Sequence, residues 1–172
     1  VGLKKVLALA GAGAVFYVGT HHSAAAVPAF TGHLASGALT SGQQTFGSRL
    51  AADTGLNPGV VTAWMLAEES SSYAAQRQAD GNNDWLNIGY TDSSTYGASD
   101  GIWSSPVSAA DATAGWMKGG DTIPGYGTAS AGIRGIVSAA GESPSAQIAA
   151  IRGSGWASSG YPDLGDLYAQ AA

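Results

Sequence analysis

Asn57-Pro58-Gly59-Val60-Val61-Thr62-Ala63-Trp64-Met65-Leu66-Ala67-Glu68-Glu69 is the stretch from which the rest of this chain can be read. Asparagine followed by proline is a strong helix start. The Asn side chain can accept from free N–H groups of the first turn, and Pro58 gives up nothing at the first helical position. The apolar run behind it predicts a helix in which Val61, Trp64, Met65 and Glu68, at i, i+3, i+4 and i+7, share one face. Glu68 therefore points with Trp64 toward the core or the floor of a cleft. Glu69 is turned away and flanked by Thr62 and Leu66. Burial disfavours a charged carboxylate, and negative charge at a helix C-terminus opposes the macrodipole, so neither acid is there to stabilise the helix. Buried acids of this kind are found where a proton must be held and delivered. Glu68 and Glu69 are thus the catalytic candidates, with Glu68 the general acid/base and Glu69 the neighbour whose charge would raise its proton affinity. The remaining glutamate, Glu142, lies in Gly141-Glu142-Ser143-Pro144, a turn or helix start that explains it as a cap.

Working outward, Ser41 through Phe46 and Leu50 predicts a helix that stops at Thr54-Gly55. After the glutamates come a serine run and a polar stretch to Asp84, a long loop and so a candidate functional one. Trp85-Leu86-Asn87-Ile88-Gly89-Tyr90 alternates like a short strand, and the segment carrying Tyr96, Ile102 and Trp103 would complete a hairpin. Helices follow from Val107 to Met117 (capped by Ser105 or Ser108), from about Thr128 to Ala140, from Pro144 to Gly153, and from an Asp163 cap through Tyr168. The sum is a mainly α domain over 41–172, with a small irregular β element after the Glu-bearing helix.

Ahead of this domain, Lys4-Lys5 precede the apolar run Val6 to Gly19 and a small-residue zone reaching Ala29. Residues 1–29 read as a signal peptide, with retention as an N-terminal membrane anchor the competing reading. Residues 30–40 read as a linker. The expected location is secreted or envelope-anchored, with membrane contact only through that N-terminal segment.

Composition excludes several classes. The net charge of −5 and the lack of any basic cluster beyond Lys4-Lys5 argue against nucleic acid. The absence of cysteine removes disulfides and thiolate chemistry. His21 and His22 fall in the leader and His33 in the linker, so no Ser-His-Asp set and no zinc site is expected. Asp80-Gly81-Asn82-Asn83-Asp84 begins like a calcium loop but lacks the glycine and glutamate that such a loop needs later. No metal and no cofactor are expected.

A helix ending in Ala63-Trp64-Met65-Leu66-Ala67-Glu68-Glu69-Ser70, then Asn82-Asn83, then Leu86-Asn87-Ile88-Gly89, resembles the lysozyme-like superfamily of lytic transglycosylases and bacterial and phage glucosaminidases. Gln147-Ile148-Ala149-Ala150-Ile151 and Ser154-Gly155-Trp156-Ala157 are similar to the C-terminal helices of its actinobacterial and phage members. The resemblance implies an α+β lysozyme-like domain in which the helix delivers the acid and the β element lines a sugar cleft. Two features depart from the pattern. The Glu-Ser pair of soluble lytic transglycosylases would align with Glu69, and the Gly-Leu-Met-Gln type segment is replaced by Leu86-Asn87-Ile88-Gly89-Tyr90.

The expected activity is cleavage of peptidoglycan glycan strands by one glutamate, as a muramidase, glucosaminidase or lytic transglycosylase. Asn87, Tyr90, Trp85 and Tyr126 are the expected substrate-binding residues. Tyr96, Trp103 and Trp156 are further aromatics for stacking on sugar rings, although each taken alone also fits a core. A second carboxylate would come from Asp80, Asp84, Asp92 or Asp100; otherwise the muramyl hydroxyl of the substrate would attack, as the resemblance to lytic transglycosylases implies. The competing reading is a non-catalytic lysozyme-like module, structural or wall-binding, in an envelope or virion assembly.

Overall fold

Side-chain caps set where the helices begin. Thr40 Oγ1 accepts from the Gln43 N–H (3.2 Å) and Gln43 Oε1 accepts from the Thr40 N–H (2.9 Å), a reciprocal box that opens α1, Ser41–Thr54. Asn57 Oδ1 accepts from Gly59 and Val60 N–H (2.9 and 3.3 Å) at the head of α2, Pro58–Glu69, as its position ahead of a proline predicts. Ser105, not Ser108, caps α3, Pro106–Met117; Ser108 closes the box from inside the helix. Ser130 opens α4, Ala131–Ser138, and Ser143 opens α5, Pro144–Gly153. The last helix is α6, Leu164–Ala171, with Asp163 O accepting from Leu167 N (3.0 Å).

The computed structural model describes residues 33–34, 37–69, 83–88, 103–123 and 125–171. The expected leader, Tyr90, Tyr96, Asp80, Asp92, Asp100 and the side chain of Glu69 lie outside them. Among the described residues the protein is mainly helical, with two short antiparallel strand pairs. β1, His33–Leu34, pairs with β2, Gly37–Ala38, inside the stretch read as a linker, and β1 lies against α6. β3, Thr122–Ile123, pairs with β4, Gly127–Thr128, through a turn that carries Tyr126. Thr128 is therefore in a strand, and α4 is shorter at both ends than expected.

The most extensive pairings are α1 against α3 and α2 against α6. Between them α2 is sunk into the core, where Val60, Val61, Thr62, Ala63, Trp64 and Met65 are all 0% exposed. A helix buried all round has no apolar face to compare with a polar one. What singles out Glu68 is its height along the helix: Leu66, Ala67 and Glu68 are the first described side chains to emerge.

One expectation needs correcting. The described part of the Trp85–Tyr90 segment is not a strand. Asp84 Oδ1 accepts from Leu86 N (2.8 Å), folding the chain into a turn, and Asn83 and Asn87 take left-handed φ values of 58° and 57°. The turn swings Trp85 inward to 1% exposure, against Phe46 at a ring-centre distance of 5.8 Å. Gly42 makes room for it, since a Cβ there would stand 2.5 Å from the indole ring. The segment does meet the residues around Trp103, but through side chains and not a ladder. Asn83 Nδ2 donates to Trp103 O (2.9 Å), and Trp103 Nε1 donates to Ile88 O (2.8 Å).

Candidate functional site

Glu68 leaves the core on the last turn of α2 and meets side chains from two other segments. Tyr161, from the loop between α5 and α6, donates its hydroxyl hydrogen to Glu68 Oε1. The side chains of Trp156, from the same loop, and Asn87, from the turn after α2, face the same carboxyl group and favour its charged form. Burial opposes them and is the larger effect, so the Glu68 carboxyl is held above the usual glutamate range. The Tyr161 hydroxyl is pushed up in turn, first by its own burial and then by the adjacent Glu68.

Each partner is fixed by backbone geometry that a plain helix or strand does not offer. Asn87 sits in the left-handed region, which asparagine tolerates well, and its carbonyl accepts from the Tyr126 hydroxyl (3.1 Å). Tyr161 also has a positive φ, 47°, with Gly160 at 64° before it. A bulky residue with such a φ is uncommon and marks a position that its surroundings over-determine. Here the ring is 6% exposed and its hydroxyl ends on Glu68.

Around these groups runs a chain of edge-on aromatic contacts. Trp64 meets Trp156 at 4.5 Å between ring centres, Trp156 meets Trp116 at 5.8 Å, and Trp116 meets Tyr126 at 5.9 Å. Such pairs add about 0.5–1.5 kcal/mol each beyond the area they bury. Since Tyr126 holds Asn87 and Asn87 faces Glu68, the chain closes into a ring around the acid. Trp116 is tied in by its Nε1, which donates to Gly127 O (2.9 Å).

A second carboxyl group lies beneath the first. Asp84 is 0% exposed, and burial pushes its carboxyl up to about 8, with the nearby Glu68 charge adding to the rise. An acid with no exposure cannot touch a ligand in this structure, so Asp84 is not a group that attacks one. Of the four aspartates considered for that role, the other three lie outside the described residues.

The structure thus brings Glu68, Asn87 and Tyr126 together, and it adds Trp156, until now only one of several candidate stacking aromatics. It takes Trp85 away: the expected sugar-facing indole is core, because the Asp84 turn reverses the side of the chain on which it lies. Trp103 likewise spends its N–H on Ile88. Two participants went unread in the sequence, Tyr161 and Trp116. The one local hint for Tyr161 is Gly160-Tyr161-Pro162, a tyrosine bracketed by turn residues.

Chemically, the arrangement among the described residues is one half-buried carboxyl group that holds its proton above the ordinary range and faces donors able to stabilise the anion once the proton leaves. Among the described residues no cluster of His, Cys, Asp and Glu could hold a metal ion. Comparison with known protein families, with curated proteins and with solved structures finds no match for this chain.

Proposed function

We propose that this domain is lysozyme-like and cleaves the glycan strands of peptidoglycan, with Glu68 as general acid/base. The observation that carries the reading is the setting of Glu68: a carboxyl at the mouth of a buried helix, raised by burial, with Tyr161, Asn87 and Trp156 trained on it. Breaking a glycosidic bond requires a proton on the leaving oxygen. A glutamate that stays protonated above its ordinary range supplies it, and the three donors stabilise the carboxylate that results. Because Tyr161 takes Oε1, the transferable proton belongs on Oε2. Asp84 is sealed from substrate, and an attack by water or by a hydroxyl of the sugar itself needs no second carboxylate from the described residues. Tyr126 and Trp156, both half-buried on the ring around the acid, are the aromatic surfaces offered to the glycan.

The test is Glu68→Gln, assayed on purified cell walls with the released fragments identified by mass. Loss of lysis by at least about 100-fold with an unchanged circular dichroism spectrum is expected, in keeping with removal of a general acid. Anhydro ends in the wild-type products would mark a transglycosylase, and reducing ends a hydrolase. Undiminished lysis by the Gln variant would remove Glu68 from the chemistry. A wild-type protein that binds walls but releases nothing would instead make this a non-catalytic wall-binding module.

A further inference from the structure

Asp84 is a polar side chain in a place where polarity is expensive. It is 0% exposed, one oxygen accepts from Leu86 N (2.8 Å), and the Ile88 N–H is also directed at it. Its other oxygen, Oδ2, has no hydrogen-bond partner, and neither does the buried Thr113 Oγ1 of α3 that lies beside it. No cationic side chain of the described residues is among the groups that act on Asp84, and burying an unpaired carboxylate is far costlier than burying the neutral acid. A carboxylic acid in the same place does not carry that penalty. Its proton then belongs on the unpartnered Oδ2, on the side of Thr113, while Oδ1 keeps the turn.

That turn has a purpose in the site. The bonds from Leu86 and Ile88 to Asp84 bracket Asn87 and hold it in its left-handed conformation, with the Tyr126 hydroxyl gripping its carbonyl from the other side. Held in this way, the Asn87 side chain faces Glu68.

We propose that Asp84 is a positioning residue for Glu68, acting as a buried neutral acid that builds the turn presenting the Asn87 side chain to the Glu68 carboxyl. The proposal deepens the reading of Glu68 as the functional acid. It does not depend on what Glu68 does to a substrate, because its test is read on the carboxyl group itself. Among the described residues, the titratable groups facing this pair are each other and, on Glu68, Tyr161.

The experiment is a carbon-13 titration of the Glu68 side-chain carboxyl in the full chain, compared across wild type, Asp84→Asn, Asp84→Ala and Asn87→Ala. Asn87→Ala removes a donor to the carboxylate, so the Glu68 midpoint should rise, by about half a pH unit or more. Asp84→Ala should reproduce that rise, because the turn is lost, and the Asp84→Ala/Asn87→Ala double variant should add little to either. Asp84→Asn keeps an acceptor for the turn and an N–H for Thr113, and should leave the Glu68 midpoint where it is. A neighbouring anion would give the opposite sign. If Asp84 were charged, both Asp84 variants would lower the midpoint, and that result overturns the proposal. So does an additive double variant, or an Asp84→Asn midpoint as high as that of Asn87→Ala. Should Asp84→Ala fail to fold, the Asn variant and Asn87→Ala still decide the matter. Wall lysis measured in parallel separates this outcome from the fate of the enzymatic reading. A rise in midpoint without any lysis in wild type would keep the positioning role and remove only the enzyme.

Discussion

The two ends of α2 obey opposite rules. From Val60 to Met65 every side chain is sealed and almost all are apolar, and the N-terminus is closed by the Asn57 side chain. Three positions past Met65 the same helix carries a carboxyl group held above its ordinary range, beside a turn and a loop built on left-handed residues. The first part gains stability from burial, about 1.5–3 kcal/mol for each large side chain removed from water. The last turn gives some of it back to keep an acid where it is hard to ionise. One helix therefore does both jobs, and the core half provides the rigid base from which the polar half is aimed.

Truncating the core half should have the largest effect on stability. Trp64→Ala should lower unfolding free energy by about 3–5 kcal/mol, measured by urea denaturation. A midpoint within error of wild type would mean that the sealed half does not carry the fold. Glu68→Gln is its counterpart, costing activity while leaving that midpoint intact or raising it.

Next comes the dependence of stability on pH. Glu68 and Asp84 bind protons more tightly in the folded chain than in the unfolded one, and Asp53, raised chiefly by burial, has the same sign. Their contribution is fully present below the ordinary carboxylate range. It is lost as pH rises through their folded values, up to about 8 for Asp84. Urea midpoints should therefore fall from about pH 4 to pH 8, by up to a few kcal/mol in all, since a tenfold gain in proton affinity on folding is worth about 1.4 kcal/mol. Stability that climbs over that window would contradict the buried, protonated state of the pair.

Smaller effects should come from single polar contacts at either end. Tyr161→Phe removes the hydroxyl donor from Glu68 and should raise its titration midpoint by about one pH unit, read by carbon-13 chemical shift. No movement would show that the loop merely covers the acid. Asn57→Ala removes the cap at the other end and should cost ~1 kcal/mol with no change in the Glu68 titration. Coupling between the two would mean that the ends of α2 are not separable.

Much of the helical frame can be read locally. Asn57-Pro58, Thr54-Gly55, Ser105-Pro106 and Ser143-Pro144 are start and stop signals within a few residues, and the structure places helix ends at each. The ground on which the sequence singles out Glu68 is incomplete. Helical periodicity separated it from Glu69 by face, whereas the structure buries α2 on all sides and separates its residues by depth. Trp85 shows where local pattern fails. Its alternation with Asn87 fits a strand, yet the adjacent Asp84 side chain forms a turn and the missing side chain at Gly42 opens a slot in the core. Tyr161 could not be paired with Glu68 from sequence, because their contact spans 93 residues and neither local stretch encodes the other. The same holds for the aromatic ring, whose members come from α2, α3, the β3–β4 turn and the loop before α6.

That 93-residue span also sets an order of events in the life of each molecule. At ribosomal rates of about 5–20 residues per second, Glu68 is made roughly 5–20 s before the tyrosine that dresses it. During that interval α2 has a carboxyl at its tip but neither Tyr161 nor Trp156 to close over it. The burial that raises its proton affinity and the donors that temper it are both complete only once the later segments have docked, so a nascent chain carries the residue without yet carrying the site.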